Sequence, residues 1–151
     1  MSGQDKVSLV QEVYEDFGKG DIQALLALCT DDIEWVHPSL ENLPVTGTWH
    51  GREQVGEFFK ALSETQEPQQ FQPHEYITQD DKVVVLGRYA WRQKATGSDF
   101  ESDWVHVFTI RDGKLENFRE YSDIHMAPTP FQQHQTQRME RESSSPSPGL
   151  H

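Results

Sequence analysis

The chain predicts an α+β domain in which a curved antiparallel sheet packs on three helices from its N-terminal half and encloses a central cavity. Two observations carry that prediction. Helical periodicity is confined to the first 65 or so residues, and from Phe71 onward the pattern changes to alternating strands joined by turns too short for anything but an antiparallel meander. With 151 residues, the chain suits one domain able to bury a core without disulfides or metals.

The first helix is marked by Val7, Val10, Tyr14 and Phe17 at helical spacing. "GKGD" breaks it, and Asp21 is a good N-cap for a second run, "IQALLALC". Cys29, the single cysteine, falls in that apolar run, which predicts a buried free thiol and permits no internal disulfide. "DIEWVH" then alternates Ile33, Trp35 and His37 on one face of a short strand that Pro38 stops. "PSLENLPVTGTWHG" is loop by its Pro and Gly content, and "REQVGEFFKAL" returns to helical period through Val55, Phe58, Phe59 and Leu62. After a connecting "ETQEPQQ" come four strands: "FQPHEYIT", "KVVVLGRYAWR", "FESDWVHVFTI" and "KLENFREYSD". Residues 1–128 are the expected domain. Residues 129–151, rich in Gln, Ser and Pro, are the expected disordered tail, since they offer too little apolar surface to offset the cost of ordering.

The tripeptide WVH occurs twice, in "EWVHPS" and "DWVHVF", and the second copy raises a question of register. A three-residue "RDG" loop places His106 opposite Phe118 and Trp104 opposite Glu120, so that all four share a face. A two-residue Asp112-Gly113 turn instead pairs His106 with Arg119 and sends Glu120 to the other side. The first is preferred because it collects the aromatic residues on one face.

The formal net charge of -12 argues against nucleic acid or an anionic membrane as partner. No apolar run reaches the length of a membrane span, and nothing marks a secretion signal, so a cytoplasmic protein is expected. His37, His106 and Glu120 form a set able to hold a metal, but no short ligand motif accompanies them, so neither metal nor other cofactor is expected.

The element order, with "GDIQALLALCTDDIEWVHP", "GREQVGEFF" and "WVHVFTIRDGKLENFREYSD", resembles the nuclear transport factor 2-like (NTF2-like) superfamily over roughly residues 5 to 125, in particular its ketosteroid-isomerase and SnoaL-like polyketide-cyclase branches. The resemblance implies a cone-shaped fold with both WVH histidines facing one cavity, His37 at its mouth and His106 deeper. At the isomerase's general-base aspartate stands His37, at its oxyanion-hole aspartate stands His106, and Tyr14 falls one residue after the isomerase tyrosine. The cyclase branch uses a histidine and an acid where this chain has His106 and Glu120. Arg88 matches the arginine of related epoxide hydrolases, but the second acid of that triad falls on Ala90.

The expected catalytic residues are therefore His106, Glu120 and His37, with Tyr14, Trp35, Trp104, Phe118 and Arg88 lining the pocket. Two histidines and a carboxylate in an apolar pocket suit general acid/base chemistry on a hydrophobic carbonyl or polycyclic substrate, as an isomerase, cyclase or hydrolase would perform it. The other class of function is a non-catalytic binding or protein-interaction module. The resemblance also implies a homodimer through the outer sheet face, where Val105, Val107 and Tyr121 form an apolar patch.

Overall fold

The computed structural model describes residues 1–38, 45–123 and 125–126. The expected tail, 129–151, lies outside the described residues. Helix α1 (Gly3–Lys19) starts at a capping box between Ser2 and Asp5 and ends at Gly20, whose left-handed conformation (φ 71°) closes the last turn. Helix α2 (Ile22–Ala27) is capped by Asp21 and spans only 6 residues. Cys29, expected in this helix, instead opens strand β1 (Cys29–His37), where it is buried with its Sγ against the Leu25 carbonyl at 3.6 Å. Strand β2 (Gly47–His50) occupies part of the stretch read as loop; Gly and Pro around it mask a pairing of four residues with β1. Helix α3 (Gly51–Thr65) follows, with Val55, Phe58 and Phe59 buried.

Strands β3 (Gln66–Gln79), β4 (Lys82–Gln93), β5 (Asp99–Arg111) and β6 (Lys114–Ser122) form the expected antiparallel meander, and β7 (His125–Met126) pairs with β5. The strand order is β2-β1-β6-β5-β4-β3, and β1 runs parallel to β6, so one pairing of the sheet is not antiparallel. Strand β3 begins five residues earlier than predicted. As an edge strand it tolerates Pro68 and Pro73, each located where its pairing with β4 slips.

The sheet is curved and open, and its inner face packs on the helices through one apolar core that includes Val10, Val13, Leu25, Ile33, Phe58, Val85, Phe108 and Leu115. Inward residues of β4 alternate strictly: Val83, Val85, Gly87, Tyr89 and Trp91 are buried, while the residues between them face out.

The β5–β6 hairpin resolves the register question in a way neither alternative anticipated. Its turn has two residues, Asp112 and Gly113, both at positive φ (51° and 78°), as a type I′ turn requires. One step further, Thr109 pairs with Asn117 while Ile110 pairs with Leu115, leaving Glu116 as an extra residue. This bulge shifts the register by one and restores the face the shorter turn would have lost. His106 consequently pairs with Glu120, Phe108 with Phe118 and Trp104 with Ser122.

Candidate active site

Four elements converge under the sheet. Strand β1 delivers Trp35 and His37 in alternate positions, and its parallel pairing with β6 sets Trp35 beside Phe118, whose rings stack at 4.0 Å. Strand β5 brings in His106 opposite Glu120 of β6, and α1 crosses above them with Tyr14. The His106 ring lies flat on Trp104 (3.8 Å between centroids, 16° between planes). Trp104 in turn lies over Gly87, where an added Cβ would come within 2.2 Å of the indole. The absence of a side chain at Gly87 is what lets the Trp104–His106 stack sit against β4.

These side chains form one hydrogen-bonded chain. The Tyr14 hydroxyl is 2.9 Å from His106 Nδ1, and His106 Nε2 is 2.9 Å from Glu120 Oε1. Tyr89 Oη donates to Glu120 Oε2 at 3.0 Å, and Ser122 Oγ donates to the same oxygen at 3.3 Å. His37 Nδ1 stands 3.5 Å from Glu120 Oε2, while the Trp35 indole N–H donates to His37 Nε2 at 3.0 Å. Because an indole nitrogen can only donate, it fixes the tautomer: Nε2 of His37 is bare and Nδ1 carries the proton toward Glu120. A carboxylate accepting from His106 Nε2 likewise leaves His106 Nδ1 bare to accept from Tyr14.

Burial opposes ionisation of Glu120, but His37 and His106 facing it outweigh that cost and hold the carboxyl well below its usual range. His106 is lowered, chiefly because burial disfavours the imidazolium, with Glu120 opposing. Tyr14 is pushed far above the ordinary tyrosine range, first by burial and then by the charges of Tyr76 and Glu120. Tyr89 is raised by burial and by Glu120, with Ser122 acting in the other direction. Both phenols stay protonated at any physiological pH. Cys29, outside this chain of bonds, is pushed up to about 12 by burial, so its thiol is not a nucleophile.

The resulting cavity is small, about 90 Å³, and is walled by Tyr14, Trp35, His37, Phe58, Phe71, Tyr89, His106, Phe118 and Glu120 among others. Of the residues expected at the site, His37, His106, Glu120, Tyr14, Trp35 and Phe118 come together around it. Two do not. Trp104 is 2% exposed behind His106 and does not face the cavity. Arg88 points out from the opposite face of β4, because it falls between the inward Gly87 and Tyr89, and it pairs with Glu101 at 3.0 Å and Asp103 at 3.1 Å. Tyr89 and Ser122 were not anticipated. Tyr89 could have been found from the two-residue alternation that Val83 and Val85 begin, whereas nothing in the sequence singled out Ser122.

Among the described residues no group of three or more His, Cys, Asp or Glu is arranged to hold a metal ion. None of the described helices is long and apolar enough to cross a membrane.

A carboxylate–imidazole–phenol chain inside an aromatic-walled cone defines the kind of protein, and similarity defines the family. The model of the SnoaL-like domain matches residues 10–118. An NTF2-like protein from Burkholderia xenovorans LB400 is 35% identical, with a TM-score of 0.75 over 82% of this chain and 92% of that one. An NTF2-like protein of unknown function from Burkholderia pseudomallei K96243 is 28% identical, with a TM-score of 0.72 over 82% and 92%. TerC, co-crystallised with polyporic acid, is 28% identical, with a TM-score of 0.68 over 79% and 92%. No curated protein matches the chain. The chain belongs to the SnoaL-like domain family of the NTF2-like superfamily.

Proposed function

We propose that this protein is a small-molecule enzyme that moves a proton on a hydrophobic carbonyl-containing ligand, as an isomerase or cyclase does. The observation that carries the reading is the Tyr14–His106–Glu120 chain, two consecutive contacts of 2.9 Å against the cavity. His106 is the base: once the substrate oxygen draws the Tyr14 hydroxyl away from Nδ1, that nitrogen takes the proton, and the imidazolium so formed is stabilised by Glu120 across the ring. Glu120 itself, tied by several donors and held ionised, is too weak a base for that role. Tyr14 supplies a neutral donor to the oxygen where charge develops. His37, with 18% of its side chain exposed, connects Glu120 to solvent.

The test is proton exchange. Incubating wild-type protein in D2O with a panel of cyclic ketones and enones is expected to introduce deuterium next to the carbonyl of at least one, with His106→Ala losing on the order of 10²-fold or more in rate. Equal exchange by wild type and His106→Ala across the panel would sink the assignment.

A second reading is a non-catalytic ligand-binding module. It is favoured by the size of the cavity, about 90 Å³ against the several hundred typical of ligand pockets, and by polar groups that satisfy one another. The polyporic acid of TerC supports a ligand role under either reading. Ligand binding without exchange would favour this alternative.

The protein acts as a cytoplasmic homodimer in this proposal. Two adjacent cross-strand rows on the outer sheet face support the dimer: Ile77, Val84 and Val107 in one, Leu86, Val105 and Tyr121 in the next. Ile77 and Tyr121 are 47% and 52% exposed. Sedimentation equilibrium of wild type against Val107→Lys tests it, with dissociation expected in the variant.

A further inference from the structure

We infer that the cavity selects a hydroxyl-bearing aromatic ring in its neutral form and rejects the corresponding anion. This rests on the reading of Tyr14 and His106 as the ligand-facing pair, and it concerns binding rather than turnover.

The argument is one of charge and hydrogen-bond inventory. The groups facing Glu120 are Tyr14 from α1, His37 from β1, Tyr89 from β4, His106 from β5 and Ser122 from its own strand; Tyr76 of β3 stands behind Tyr14. Helices α2 and α3 bring only Leu25, Phe58, Phe59 and Leu62 to the cavity, and no Lys or Arg is among its described lining residues. In this hydrogen-bond pattern each imidazole turns one ring N–H toward Glu120 and accepts at its other nitrogen. The Trp35 N–H occupies His37 Nε2 at 3.0 Å, and the Tyr14 hydroxyl occupies His106 Nδ1 at 2.9 Å. Glu120 therefore contributes the one carboxylate among the described lining residues, held by donors from His37, His106, Tyr89 and Ser122.

A ligand oxygen that parts Tyr14 from His106, in direct contact at 2.9 Å without it, must accept from the tyrosine hydroxyl and donate to the bare Nδ1. Only a neutral hydroxyl does both. A phenolate leaves Nδ1 without a donor and places a second negative charge across the His106 ring from Glu120. At a separation on the order of 6 Å and an effective dielectric near 20, that repulsion raises the pKa of a bound phenol by about two, roughly a hundredfold preference for the neutral form. Space for the ring comes from the neighbouring groove of about 1480 Å³ between α1, α3 and β3, which shares Tyr14, Phe17, Phe71 and Trp91 with the cavity. The hydroxyl lies inward and the body of the ring displaces Phe17 or Phe71 toward the groove.

The probe is 4-nitrophenol, which titrates near neutral pH and whose phenolate alone absorbs in the violet. At a pH where the free probe is mostly phenolate, adding wild-type protein is expected to bleach that band, with affinity falling as pH rises and 4-nitroanisole binding more weakly. Glu120→Gln is expected to abolish the bleaching and to improve phenolate binding by roughly a hundredfold. A phenolate band that persists on binding overturns the inference; so does equal affinity for 4-nitroanisole, or no binding of 4-nitrophenol at millimolar concentration. If Glu120→Gln does not fold, a series of substituted phenols on wild type at one pH serves instead: affinity rising with the phenol's pKa supports the inference, and affinity falling overturns it. Neutral-phenol selectivity without deuterium exchange would leave this inference standing and the enzyme reading lost, and exchange with phenolate binding would do the reverse.

Discussion

His106 and Glu120 are direct cross-strand partners on β5 and β6, and their side chains meet at 2.9 Å with only 3% and 6% of each residue exposed. A buried carboxylate is tolerable only while its donors remain, and the donors only while the carboxylate remains. Glu120→Ala strands the His106 N–H and the Tyr89 hydroxyl and is expected to cost about 3–5 kcal/mol in urea unfolding. Glu101→Ala removes an exposed partner of Arg88 and is expected to cost less than about 1 kcal/mol. Similar losses for the two variants would contradict the buried network.

Acid should destabilise the fold in two stages. His106 is lowered in the folded protein, so as pH falls through about 6.5 the unfolded chain takes up a proton that the folded one refuses. Stability is full above that value and declines below it, by at most about 1.4 kcal/mol per pH unit for one group. Glu120, also lowered, adds a second decline once pH drops below the 4.5 of an ordinary glutamate. Thermal melts across this range should fall on both steps, and His106→Gln should flatten the upper one and, because His106 also helps hold Glu120 ionised, shrink the lower one. A flat upper step in wild type would mean that His106 protonates as readily in the folded protein as in the unfolded chain.

Much of this arrangement was legible because sheets reduce to parity. The strict alternation through Val83, Val85 and Tyr89 sorts β4 into an inner and an outer face, and the same parity places Arg88 outside, where family resemblance alone had put it in the pocket. His37 follows from Trp35 by the same rule. The β5–β6 register was not legible, because the sequence marks the Asp112-Gly113 turn but not the extra residue at Glu116, and each changes parity. Strand β2 is too short and glycine-rich to stand out from a loop. Trp104 was placed on the correct face, but only the open backbone at Gly87 explains why it lies under His106 instead of lining the cavity.

Gly87 is accordingly a packing position. Its missing Cβ is occupied by the Trp104 ring, and Gly87→Ala must push that ring away and tilt the His106 stacked on it. An expected loss of about 1–3 kcal/mol accompanies a shift of the His106 ring resonances in NMR spectra. Gly18 in α1 has nothing within 4 Å of an added Cβ, so Gly18→Ala should instead gain about 0.5–1 kcal/mol through helix propensity. A silent Gly87→Ala would show that the indole has another place to go.

The extra residue at Glu116 is what lets a two-residue turn coexist with the face on which Glu120 lies. Drawn into a regular ladder, it would pair His106 with Arg119 and turn Phe118 and Glu120 outward. Deleting it removes the bulge and leaves Ile110–Leu115 and Thr109–Asn117 as consecutive pairs, so His106 still meets Glu120 and Phe118, 2% exposed, keeps its 4.0 Å stack on Trp35. The deletion variant is expected to keep its folded near-ultraviolet circular dichroism signal. An alanine inserted after Glu116 instead leaves one residue more than the bulge absorbs, exchanges the buried Phe118 ring for Arg119 and is expected to lose that signal. Glu116→Ala removes only the exposed 2.8 Å pair with Arg111, so it should fold with a loss below about 1 kcal/mol. Equal behaviour of deletion and insertion would mean that the hairpin takes up a change of length elsewhere, and that the turn and the bulge do not by themselves fix the face on which Glu120 lies.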